Sequence, residues 1–119
     1  MVYNRMKLKE LASYLDSAVP LSFQEGYDNS GLQIGSPENL IHTALITLDV
    51  TEEVIDEAIS NKCNVIVSHH PVIFNGLKSL TGKSYTERVL LKAVRNDIAI
   101  YSAHTNLDVI SNGVSWKMA

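Results

Sequence analysis

The chain has 119 residues, of which 45% are hydrophobic and 19% charged, and a net charge of -3. That length supports a single domain with one core, and Lys and Arg occur only as scattered singles, which excludes a general nucleic-acid or membrane-surface binder. A charged fraction below the usual roughly 25% suggests that part of the surface is covered, by another chain or by a further part of the same one.

Met1 to Glu10 carries charges where a secretory signal needs its apolar stretch, and no segment approaches the ~20 apolar residues of a membrane span. Leu8, Leu11, Ala12 and Leu15 recur at helical spacing, with Lys7, Lys9, Glu10 and Asp16 on the other face, so 7–17 is expected to be an amphipathic helix. Pro20 follows as its stop. Asp28, Asn29 and Ser30 lie in a stretch dense in turn formers; they suit a ligand-facing loop, but spacing alone favours an ordinary Asx-type turn into a short strand, Leu32–Ile34.

Thr43 to Asp49 is the first strong strand candidate, nearly continuously apolar through Ala44, Leu45, Ile46 and Leu48. Thr51 then caps a helix whose first turn holds Glu52 and Glu53, where negative charge suits the helix dipole. Its expected buried stripe is Val54, Ile55, Ala58 and Ile59. Cys63 is the only cysteine, which excludes an internal disulfide and fits a reducing cytoplasm. Placed just before a buried strand, it reads as a small core residue rather than a reactive thiol.

Val65, Ile66, Val67 and Ser68 have the pattern of a strand buried on both faces, and the run ends in His69, His70 and Pro71. Adjacent strand residues point to opposite faces, so the two histidines converge only if the chain leaves the β conformation there; Pro71 keeps His70 extended and cannot donate to a ladder. A third helix is expected over roughly Tyr85 to Asn96, marked by Val89, Leu90, Ala93 and Val94, and a third buried strand over 98–103. Beyond it come His104 and Asp108, then a helix beginning near Asn112 within which the chain stops. Alternating helices and strands with parallel-type connections give an α/β class: a layered, mainly parallel sheet flanked by helices.

Ligands of open α/β sheets gather beyond the carboxyl ends of the strands. Three successive strand ends deliver Asp49, then His69 and His70, then His104 and Asp108, whereas His42 sits at a strand start. Imidazoles and carboxylates together are ligands for zinc, iron, manganese or cobalt. Each residue also has a plainer reading. The histidine pair could be satisfied by local hydrogen bonds, and Asp49 reads more as a turn or capping residue than as a ligand. His104 could orient a ligand instead of binding metal, and Asp108 could cap the loop at Asn112 and Gly113.

Four segments in this order and spacing, Asp28-Asn29-Ser30-Gly31-Leu32, Leu48-Asp49-Val50-Thr51, Ser68-His69-His70-Pro71 and His104-Thr105-Asn106-Leu107-Asp108, resemble the Nif-three-like family of dinuclear metal-centre proteins, the GTP cyclohydrolase I type 2 homologues. The resemblance runs over essentially the whole chain, and the His-His-Pro and His-Thr-Asn-Leu-Asp pair is its specific part. It implies that His69, His70 and Asp108 are metal ligands and that His104 is a polar residue near the site, as proton carrier or orienting group. It implies two divalent transition-metal ions, with further ligands, a histidine and a glutamate, from a C-terminal half that lies outside these 119 residues. Residues 1–119 would then be one α/β lobe, truncated relative to the family fold, of a cytoplasmic homo-hexameric ring acting on a small-molecule substrate. Metal-dependent hydrolysis of a nucleotide-like or phosphorylated compound is the first functional expectation. A non-catalytic metal-binding scaffold or adaptor is the second, and a plain α/β domain the third.

Overall fold

The computed structural model describes residues 6–18, 31–73 and 76–103. Its elements are β1 (Met6–Lys7), α1 (Leu8–Ala18), β2 (Gly31–Ile34), β3 (Leu40–Ile41), β4 (Ala44–Thr47), α2 (Glu52–Ser60), β5 (Val65–Ser68), α3 (Tyr85–Arg95) and β6 (Ala99–Ser102). The principal sheet has the order β2-β6-β5-β4, and β1 pairs with β3 in a separate two-stranded ribbon. β4, β5 and β6 are mutually parallel, with Thr47, Ser68 and Ser102 in register at their ends. β2 adds to β6 antiparallel and its register shifts between Leu32 and Ile34. The sheet is therefore mainly parallel, as expected, with one antiparallel edge.

The β-branched run of β5 places it centrally: Val65 and Ile66 are buried, and their opposite directions feed two cores. Ile66 and Ile100 pack with Ile55 and Ala58 of α2 and Val89 and Ala93 of α3. Val65 and Ala99 pack on the other face with Leu8 of α1 and Ile41. This is a three-layer arrangement, and burying each large aliphatic side chain stabilises it by roughly 1.5–3 kcal/mol. Cys63 lies in the first core, as its sequence context suggested.

Both helices on that face have specified starts. The Thr51 hydroxyl accepts from the Val54 amide at 3.1 Å, and the Ser84 hydroxyl accepts from the Glu87 amide at 3.2 Å. Glu87 is buried, and its carboxylate reaches back to accept from the Thr81 amide at 2.8 Å and the Gly82 amide at 3.2 Å. The Thr81 amide foremost, with help from the Ser84 hydroxyl and the Gly82 amide, holds this carboxyl below the ordinary glutamate range.

Three sequence expectations need correction. Ile59 is 41% exposed and does not belong to the buried stripe of α2, because the helix turns only Ile55 and Ala58 fully onto the sheet. Among the described residues β4 is the edge of the sheet rather than a buried strand, with Ile46 76% and Leu48, just after it, 49% exposed. Asp16 is not on the solvent face of α1; it is half-buried and accepts a hydrogen bond from the hydroxyl of buried Tyr101.

Candidate metal centre

The histidine pair is built by the ends of three parallel strands. The β4–β5 ladder continues past β5: the His69 amide donates to the Thr47 carbonyl at 3.2 Å and the His70 amide to the Leu48 carbonyl at 2.9 Å. On the other side the Ala103 amide donates to the Ser68 carbonyl at 2.9 Å. Two buried hydroxyls then shape the exit. Ser68 Oγ donates to the His70 carbonyl at 2.9 Å, and Ser102 Oγ to the His69 carbonyl at 3.3 Å. The chain bends at His69 and His70 instead of continuing as strand. The bend brings the two rings to 4.8 Å between centroids at 51° to one another, the convergence that a straight strand forbids.

Each ring is oriented by an oxygen at Nδ1. The His69 Nδ1 lies 3.1 Å from the Ala103 carbonyl oxygen, and the His70 Nδ1 lies 2.5 Å from Asp49 Oδ1. A carbonyl and an ionised carboxylate can only accept, so Nδ1 carries the proton in both rings and the lone pair of the neutral ring is on Nε2. Metal-binding histidines are held in this way, with one ring nitrogen donating to an oxygen and the other presented to the ion. The donor chemistry of the pair therefore fits a divalent transition metal.

The surroundings of the two rings differ. His69 is half-buried and borders an apolar groove of about 340 Å³ walled by Ile46, Leu48, Val67 and Ala103. His70 is more exposed and lines a smaller space of about 120 Å³ with Asp49, Tyr85 and Thr86. His42 is remote from this edge in the chain's order and sits before β4, its Nδ1 3.0 Å from Thr43 Oγ1. Of the residues singled out from sequence, the structure brings together His69, His70 and Asp49. His104, Asp108 and the loop residues Asp28, Asn29 and Ser30 lie outside the described residues. Among the described residues, no group of three or more His, Cys, Asp or Glu side chains forms a metal cage.

Ser68 and Ser102 are functional positions that carry no expectation in the sequence pattern above. Ser68 and Ser102 each close a buried apolar strand and stand opposite one another in the ladder. A hydroxyl placed just after such a run is the signal that was available. From sequence, Asp49 reads as a turn or capping residue. It does lie in the bend after β4, but Thr51 caps α2 and the Asp49 carboxylate goes to His70.

The sequence profile of the Duf34/NIF3 family (NGG1p interacting factor 3) matches residues 6–119. The chain belongs to this family. Among similar proteins, the GTP cyclohydrolase 1 type 2 homolog of Clostridium acetobutylicum is 37% identical over 110 residues, covering 92% of this chain and 41% of that protein. The NIF3-like protein 1 of Rattus norvegicus is 44% identical over 113 residues, covering 93% of this chain and 30% of that protein. The crystal structure of Staphylococcus aureus protein SA1388 superposes with a TM-score of 0.89 at 42% identity, covering 95% of this chain and 32% of that one. This Duf34/NIF3 chain thus spans less than half the length of the relatives it matches. Among the described residues, no helix is long and apolar enough to cross a membrane.

Proposed function

We propose that this Duf34/NIF3 chain is the histidine-bearing N-terminal lobe of a protein that binds divalent transition metal, and that the complete protein hydrolyses a nucleotide-like or phosphorylated small molecule. One observation carries the metal reading: two adjacent imidazoles at a parallel-sheet edge, each with Nδ1 within hydrogen-bond distance of an oxygen that can only accept. His69, His70 and Asp108 would hold metal, with zinc, iron, manganese and cobalt all compatible with such ligands. Two ions bound there would supply an activated water and polarise the substrate bond.

The chain's own residues contribute orientation and proton handling. Ser68 and Ser102 fix the backbone from which both rings project. His104, one residue after the Ala103 carbonyl that orients His69, would carry a proton or position a ligand. Ring opening of a guanine nucleotide is the specific reaction suggested by the relatives' names. The same reading includes a cytoplasmic, ring-shaped homo-hexamer whose remaining ligands come from the part of the relatives that this chain does not span.

A second reading is a non-catalytic metal-binding adaptor. The family's description as an interacting factor favours it, as do the exposed Ile46 on strand β4 and Leu48 just after it.

Elemental analysis of the chain purified without chelator, beside His70→Ala, tests the metal assignment. Near-stoichiometric metal that is lost in the variant is expected; equal metal content in the two would overturn it. With the full-length protein, saturable turnover abolished by chelator and by His70→Ala identifies an enzyme. Partner binding without turnover identifies the adaptor.

A further inference from the structure

We propose that Asp49 is the positioning residue of the histidine pair: its carboxylate, supplied by the end of β4, holds the His70 ring with the proton on Nδ1 and the lone pair on Nε2. The purpose of that arrangement rests on the metal-binding reading, but its existence does not.

Asp49 is itself held in place. Thr47 Oγ1 donates to the Asp49 carbonyl at 2.9 Å, fixing the bend after β4. The His70 amide donates to the Leu48 carbonyl at 2.9 Å, so the backbones of the two residues are tied one position from the side-chain contact. The carboxylate has no capping task, because Thr51 supplies the side-chain cap of α2. Its Oδ1 sits 2.5 Å from His70 Nδ1, the short separation of a charge-assisted bond. Both side chains are partly exposed, 64% for Asp49 and 45% for His70, so Coulomb attraction alone would hold them weakly. What the pair gains is direction: an ionised carboxylate can bind the ring only through a protonated Nδ1.

The two histidines differ in how they are held. His69 is oriented by the Ala103 backbone carbonyl, which no side-chain substitution removes. His70 Nδ1 is met by the Asp49 carboxylate, a side chain that a substitution can remove. A tautomer change at His70 would turn an N–H toward the position of a cation and cost the site a ligand.

Long-range proton–nitrogen correlation NMR on the 119-residue chain, at about pH 8 where free imidazole is neutral, reads both tautomers without any metal. The wild type is expected to show Nδ1–H at His69 and His70. Asp49→Ala is expected to move His70 toward Nε2–H and leave His69 unchanged. Asp49→Asn keeps an accepting oxygen and is expected to retain the wild-type tautomer, which guards against a variant that simply misfolds. Zinc titration of the same proteins is expected to weaken about 10–100-fold in Asp49→Ala. An unchanged His70 tautomer in Asp49→Ala overturns the assignment. A shifted tautomer together with equal zinc affinity in wild type and His70→Ala upholds Asp49 as the positioning residue and removes the metal reading instead.

Discussion

Gly35 is where a single methyl group tests the packing that places the sheet. Its φ is +128°, a region an L residue enters at a cost of about 1–3 kcal/mol. A Cβ built there would lie 2.6 Å from Leu8 Cδ2 and 2.8 Å from Ala99 Cβ. Leu8 is fully buried and Ala99 nearly so, so neither atom has open space to retreat into, and such overpacking costs about 1–3 kcal/mol. Gly35→Ala is therefore expected to destabilise the fold by about 2–6 kcal/mol, a large share of the roughly 5–15 kcal/mol of a typical domain. The readout is urea unfolding for the free energy and thermal unfolding for Tm, both followed by circular dichroism, with a fall in Tm of about 10 °C or more. Adding Ala99→Gly removes one of the two clashes, and the pair should be less destabilised than the sum of the single variants by about 1 kcal/mol. A Gly35→Ala protein within about 0.5 kcal/mol of wild type would refute the packing described between α1, the turn after β2, and β6.

Two further predictions concern pH. Burial and the neighbouring Asp16 carboxylate push the Tyr101 hydroxyl upward, so the native state keeps a proton that the unfolded chain releases. That contribution is complete below about pH 10 and is lost as pH rises above it, by up to about 1.4 kcal/mol per pH unit. Tyr101→Phe should be less stable than wild type at neutral pH by about 1–3 kcal/mol, and the gap should close on alkaline titration. Unfolding midpoints between pH 8 and 11.5 that run parallel would contradict it. Glu87 has the opposite sign, because hydrogen bonds to its charged form lower its pKa from the ordinary 4.5. Its contribution is present above that value and is lost as pH falls through the lowered native one. Glu87→Gln should accordingly show a shallower loss of urea midpoint between pH 5 and 2; an unchanged acid slope would count against the buried network around Thr81 and Gly82.

Much of the architecture was legible because apolar periodicity and local capping are properties of neighbouring residues. Val65 to Ser68 formed a strand with the expected bounds, and the helices at Leu8–Ala18, Glu52–Ser60 and Tyr85–Arg95 began within a residue of expectation. Thr51 capped α2 as its position implied. Ser84 and Glu87, three apart at the start of α3, carry a similar local signal. The strand-end placement of His69 and His70 was legible for the same reason, since a β-branched run broken by a proline declares where it stops.

What periodicity cannot say is which element lies beside which. It marks β4 as buried because its residues are apolar, but burial belongs to position in the sheet, and β4 is the edge among the described strands. It put Asp16 on a solvent face because a carboxylate usually belongs there, without knowledge that Tyr101, 85 residues away, would supply a donor. Asp49 looked like a turn residue because its neighbours in sequence form a turn; its partner is 21 residues on. The antiparallel addition of β2 beside β6 is likewise invisible from the sequence of either strand. The amino-acid order by itself determined where strands and helices start, where they stop and which of their faces are apolar, since those follow from backbone sterics and hydrophobic period within a few residues. Only the tertiary structure decided strand order, the edge, and the oxygen that orients each histidine, because hydrogen bonds between residues distant in the chain exist only after the layers have packed.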